Sequence, residues 1–208
     1  MDGLHLQMSQ STATGPAFTL HRMRAPYAIR FTRDAVAQMQ QILPGKYELV
    51  EGELIDKMSQ RLPHRIAMMA LLNWMIQTWG HRFLQDQASI DVSPEDNPTS
   101  EPQPDAVALN IPLASLQGNP QPGQIELVIE VSDSSAAYDL TTKAGLYARA
   151  GIGEYWVLDI PRRLIHVHRD PVEGVYRAVV AHLPEQSVAP LAKPGAALAL
   201  ADLLPPQS

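Results

Sequence analysis

The segment Ile125 to Val131 is nearly unbroken apolar sequence, which fits a strand covered on both faces and therefore lying inside a sheet. It is followed by Ala136–Ala150, where Leu140, Ala144 and Tyr147 fall on one stripe and Gly151 stands just past the end, the pattern of a helix and its stop. Tyr155–Ile160 then reads as another strand. Strand, helix and strand in that order imply a right-handed crossover, so at least part of the sheet is parallel.

The rest of the chain supplies antiparallel pieces around this unit. Tyr47–Val50 and Glu53–Ile55 flank Glu51-Gly52, a two-residue hairpin turn in which Gly52 provides the positive φ. Thr32 caps a short helix carrying Val36, Met39 and Leu43, which ends before Pro44-Gly45. His64–Trp79 is predicted as a long helix with Met69, Leu72, Ile76 and Trp79 along its packed stripe, and Gly80 closes it. A short strand is expected near Phe83 to Ile90 and another at Asp105–Leu109. Between them Asp91–Pro104, with four prolines and four acids, reads as a solvated loop. Leu164–Arg169 and Val175–Ala181 complete the strands. Residues 1–31 read as a flexible tail, 32–183 as the domain, and 184–208 as a C-terminal extension rich in Pro, Ala and Leu.

Composition narrows the chemistry. There is no cysteine, which excludes disulfides, thiolate metal sites and a cysteine nucleophile. No apolar run is long enough to span a membrane and no secretory leader is evident, so a soluble, cytoplasmic protein is expected. A net charge of -6 argues against a nonspecific coat for nucleic acid, and no Lys/Arg run advertises a basic cleft.

Three residues in order carry the chemistry: Asp105 in Pro104-Asp105, Glu130 within the apolar strand, and Lys143 in the following helix. Two carboxylates and an amine can hold a divalent cation and neutralise a phosphate. A glutamate at the end of an apolar strand is costly to bury without a cation, donor or metal. The alternative for Lys143 is an exposed helix pair with Asp139, worth only about 0.3–0.5 kcal/mol. For Asp105 it is a turn residue, and for Glu130 a structural strand end.

Tyr47-Glu-Leu-Val-Glu-Gly-Glu-Leu54, His64, Pro104-Asp105-Ala-Val, Leu127-Val-Ile-Glu-Val-Ser132, Asp139 with Lys143 and Tyr147, and Gly151-Ile-Gly-Glu-Tyr-Trp-Val-Leu-Asp159 resemble the Uma-two family of restriction-endonuclease-like proteins over about Thr32 to Tyr176. The resemblance implies an α/β (α+β) fold of PD-(D/E)XK type, a mixed central sheet flanked by helices. It also implies an Mg²⁺- or Mn²⁺-dependent endonuclease acting on nucleic acid, with DNA the expected substrate, and with Asp105, Glu130 and the carbonyl of Val131 on the metal. The superfamily carries its lysine two residues after the second acid. Ser132 stands there in this chain, and the resemblance implies that Lys143 replaces it from the helix. An early acid often joins such sites. Glu53, just past the hairpin turn, is preferred over Glu48, and His64 is placed at the start of the long helix, as a helix-end or substrate contact.

Competing readings come from other classes. His166 and His168 share a strand face, but without a third ligand nearby they read as part of the sheet face. Trp74, Trp79 and Trp156 read as core. An inactive nuclease-like fold serving as a nucleic-acid or protein binding module is the alternative function. A homodimer is expected, because paired sites can address both strands of a duplex.

Overall fold

A computed structural model describes residues 29–39, 42, 45–57 and 60–206. Leu43, expected in the first helix, lies outside them. That helix is α1 (Arg33–Met39), entered as anticipated through Thr32, whose hydroxyl accepts the Ala35 N–H at 3.2 Å. β1 (Tyr47–Val50) and β2 (Glu53–Asp56) form the hairpin. Its turn places Glu51 at φ 49° and Gly52 at φ 79°, and a Cβ at Gly52 would come within 2.9 Å of Arg30 Cβ. Glycine is needed there for both reasons.

The central sheet has six strands in the order β3 (Leu84–Asp86), β4 (Ala106–Leu109), β5 (Ile125–Ser132), β6 (Glu154–Asp159), β7 (Leu164–Val172) and β8 (Val175–His182). Only β5 and β6 pair in parallel, as the strand–helix–strand order requires. The other pairings are antiparallel, which makes the sheet mixed. β5 is interior and buried along nearly its whole length. Its Leu127, Ile129 and Val131 pack into one core cluster while Val128 enters the other. Ile125, expected beside Leu127, joins Val128 instead. A register shift between Ala108 and Leu109 explains it, since one extra residue reverses the facing of the residues beyond it.

On one face of the sheet lies α2 (Leu62–Trp79). The stripe it buries is Ala67, Met68, Leu71, Met75 and Trp79, so Met69 and Ile76, expected in the core, are exposed. The helix is apolar nearly all round, and spacing alone could not choose its buried side. On the opposite face sits the segment after β5, which is not one regular helix. A first turn (α3, Ala136–Tyr138) passes through a π-helical stretch (Asp139–Lys143) into α4 (Ala144–Arg149). All three tryptophans pack in or against the core, with Trp74 stacked on Trp156 at 5.8 Å.

Two segments are more ordered than their composition suggested. The Asp91–Pro104 stretch is not a free loop: Val92, Ser100, Pro102 and Pro104 are buried, and Leu49 and Glu101 exchange backbone hydrogen bonds. Arg33 ties it down further, reaching Asp91, Asn97 and the Ser100 carbonyl. Beyond Pro184 the chain forms a small hairpin, β9 (Ser187–Val188) with β10 (Leu198–Ala199), and sends Val188, Leu198, Leu200, Leu203 and Leu204 into the α2 side of the core. Buried Glu154 anchors this region by accepting the Leu191 N–H at 2.7 Å and pairing with Arg169. Among the described residues no helix is long and apolar enough to cross a membrane.

Candidate active site

The register between β4 and β5 sets Ala106 opposite Ile129. Continued by one residue, it brings Asp105 abreast of Glu130, so two carboxylates from distant parts of the sequence meet at one end of the sheet. Asp105 is pinned through Oδ2, which accepts the Val131 N–H at 2.8 Å and lies 3.3 Å from His64 Nε2 in the first turn of α2. Its Oδ1 faces Lys57 Nζ at 4.0 Å. Glu130 is held through Oε1, which accepts from Lys143 Nζ at 2.8 Å and from the Tyr147 hydroxyl at 3.1 Å.

Lys143 is the hub of a second layer. Besides Glu130 its ammonium touches Glu48 Oε1 at 2.8 Å and lies 3.9 Å from Asp139 Oδ1, and the side chain is only 3% exposed. The surface pairing with Asp139 considered from sequence is therefore replaced by a buried cluster of one cation and three acids. The π-helical stretch carries both Asp139 and Lys143 on the buried side. Such wide turns recur at functional sites, where they re-aim side chains. Ser132, standing where the wider superfamily has its lysine, donates to Asp139 Oδ2 at 2.6 Å, as does Ser135.

The environment pushes the two acids apart. Burial drives Glu130 up to about 8 despite the opposing pull of Lys143, and the Asp105 and Asp139 charges add to the rise. Burial acts in the same upward sense on Asp105, but the His64 hydrogen bond, the Lys57 charge and the Val131 N–H outweigh it and hold that carboxyl below its usual range. Burial also opposes the charge on Lys143, yet Glu130, Glu48 and Asp139 together keep its pKa above the ordinary lysine value. Tyr147 is likewise kept protonated, by burial and by Glu130.

Glu48 and Asp139 line a pocket of about 800 Å³. Of the residues singled out in the sequence, Asp105, Glu130, Val131, Lys143 and His64 all contribute to it. Glu53 does not: it is exposed on β2, paired with Val50 beside the hairpin turn. Glu48 lies two residues back from Val50 along β1, about 7 Å nearer the open end of the hairpin, and is the early acid that enters the pocket. Lys57 was missed altogether, because a lone lysine after a strand carries no periodic signal. Lys46, Lys57, Arg61 and Arg65 also line the pocket, scattered along the chain so that no run of charge appears in the sequence, and Arg61 is paired with Asp133 at 2.8 Å.

The donor set suits a hard divalent cation. Asp105 Oδ1 and Glu130 Oε2 accept no hydrogen bond from any described residue, leaving one carboxylate oxygen uncommitted on each acid. Among the described residues no group of three or more His, Asp or Glu side chains placed to hold a metal ion occurs, including around His166 and His168. His168 instead packs between Tyr155 and Tyr176, with burial lowering its pKa. An open site with two carboxylates is what Mg²⁺ uses, since it retains several waters and takes its remaining ligands from a phosphate.

The family profile described as "Putative restriction endonuclease" matches residues 36–201. The chain belongs to the Uma2 family. Within Uma2 the expected restriction-endonuclease-like fold is present, with its mixed six-stranded sheet. A crystal structure titled as a putative nuclease belonging to DUF820, from Anabaena variabilis ATCC 29413, superposes with a TM-score of 0.63 at 16% identity. The match covers 83% of this chain and 97% of that one. No curated protein matches the chain. The Uma2 assignment ties the chain to a nuclease family, and the pocket identifies which of its residues are brought together.

Proposed function

We propose that this Uma2 protein is an Mg²⁺- or Mn²⁺-dependent endonuclease that hydrolyses phosphodiester bonds, with DNA as substrate. The observation that supports this most is the meeting of Asp105 and Glu130 in one pocket, each with an oxygen that accepts no hydrogen bond from a described residue. Asp105, Glu130 and the Val131 carbonyl would hold the cation. When bound, it supplies Lewis-acid stabilisation of phosphate charge and lowers the pKa of water.

The chain's own residues do the rest. His64 and the Val131 N–H fix the orientation of Asp105 and keep it ionised. Lys143 draws Glu48 and Glu130 together and lets two glutamates coexist in a buried space. Lys46, Lys57 and Arg65, which line the pocket, are the cations that would meet the backbone phosphates. In the reaction a water oxygen bonds to phosphorus. The P–O ester bond opposite breaks, with its electron pair going to the leaving oxygen, which takes up a proton, and the proton lost by the attacking water passes to solvent.

The test is incubation of the purified protein with plasmid and single-stranded DNA in Mg²⁺ or Mn²⁺, beside Asp105→Ala and Glu130→Ala. Metal-dependent cleavage abolished by both substitutions is expected. Cleavage that survives both overturns the assignment, and absence of cleavage under all conditions favours a binding module.

A further inference from the structure

The pocket contains two lysines in unlike settings. Lys143 Nζ pairs with Glu48 and Glu130 at 2.8 Å each and lies 3.9 Å from Asp139, on a side chain that is 3% exposed. It cannot reach a phosphate without abandoning carboxylates that would then be buried uncompensated. Lys57 is different. It follows β2 directly, its N–H donates to the Lys46 carbonyl at 2.8 Å, and its ammonium donates to the Gln103 carbonyl at 2.9 Å. Gln103 is itself fastened to β1, through its N–H to Glu48 and its side-chain amide to the Tyr47 carbonyl.

That arrangement holds Lys57 Nζ 4.0 Å from the free oxygen of Asp105, with the side chain 21% exposed and lining the pocket. One donor is anchored on Gln103, which leaves two ammonium N–H groups on a cation that lines the pocket beside Asp105. Building on the nuclease reading, we propose that Lys57 is a catalytic residue that donates to a non-bridging oxygen of the scissile phosphate, while Lys143 is a positioning residue for the two glutamates. A preplaced cation aimed at charge that grows in the transition state is the most effective electrostatic arrangement. Nothing covalent forms at Lys57, which enters and leaves the cycle as an ammonium.

The test combines binding and cleavage for wild type, Lys57→Met and Lys57→Arg. Affinity for labelled single-stranded and duplex oligonucleotides is measured in Ca²⁺ across a salt series, and cleavage rate in Mg²⁺. Losing one phosphate contact should make the slope of log K against log salt shallower by about 0.7 for single strands and about 0.9 for duplex. Cleavage should fall roughly 100-fold, and Lys57→Arg should restore the salt slope. A merely structural role would lower affinity without changing the slope. An unchanged slope with unchanged cleavage overturns the role of Lys57 and leaves the nuclease reading standing. A Lys57-dependent slope in a protein that cuts nothing keeps the phosphate contact and overturns the nuclease reading. Absence of binding by the wild type overturns both.

Discussion

Replacing Lys143 with Met removes the cation from a cluster that holds Glu48, Glu130 and Asp139 within 4 Å of it. With the lysine present, its charge already pulls Glu130 down against burial, and the carboxyl still sits up at about 8, so losing the ammonium leaves the buried acids with nothing to offset their desolvation. Breaking a buried ion pair from one side costs about 3–5 kcal/mol. Protonation of buried carboxyls relieves that cost, so the deficit should shrink as pH falls. Urea unfolding followed by fluorescence reads this as a midpoint lowered by roughly 1–3 M at pH 7 and far less at pH 5. Adding Glu48→Gln to Lys143→Met should recover most of the loss. A Lys143→Met protein that stays within about 1 kcal/mol of wild type at pH 7, or whose deficit does not depend on pH, refutes this account of the cluster.

Glu48→Gln should depress cleavage strongly, whereas Glu53→Gln, at an exposed position beside the turn, should leave cleavage and stability within about 0.5 kcal/mol of wild type; side-by-side assays of the two check the choice of early acid. Because the folded pKa of Glu130 lies above its ordinary value, the group is protonated in the folded state through neutral pH and must lose that proton to bind a cation. Mn²⁺ affinity followed by calorimetry should therefore rise between pH 7 and 9 in wild type and vary much less in Glu130→Gln. Asp105 has the opposite sign: its lowered pKa gives stability that is present above the usual aspartate range and lost as pH falls, so Asp105→Asn should flatten the acid limb of the stability profile. Gly52→Ala forces a side chain into positive φ against Arg30 and should cost about 1–2 kcal/mol, measurable as a lower melting temperature.

Features governed by short-range chemistry were legible in the sequence. The Glu51-Gly52 turn, the Thr32 cap and the parallel β5–β6 pair follow from local rules, and the structure shows each of them. Asp105, Glu130 and Lys143 were legible as a set because their order along the chain accompanies the strands and helix that bring them together. What escaped depends on three-dimensional choice. Met69 and Ile76 have the same spacing as the residues that α2 buries, and only contact with the sheet distinguishes the two sides. Glu48 and Glu53 differ by their distance from a turn, which composition does not weigh. Polar, Pro-rich Asp91–Pro104 is fixed by Arg33 and by pairing with β1, partners remote in sequence. Lys46, Lys57, Arg61 and Arg65 are scattered through the chain and come to line one pocket only after folding.

The wide turn at Asp139–Lys143 separates architecture from chemistry along a single stretch of backbone. Its extra residue is absorbed between a first turn that leads into Asp139 and a following helix whose Leu146, Tyr147 and Ala148 lock into the core. Because the wide turn absorbs that residue, deleting the exposed Thr141 would tighten the segment into an ordinary α-helix while the turns on either side keep their facing. Asp139 and Lys143 would then stand three residues apart instead of four, still on one side of the helix. A single-codon deletion there would thus shorten the reach between the two charges without unseating Leu146, Tyr147 and Ala148.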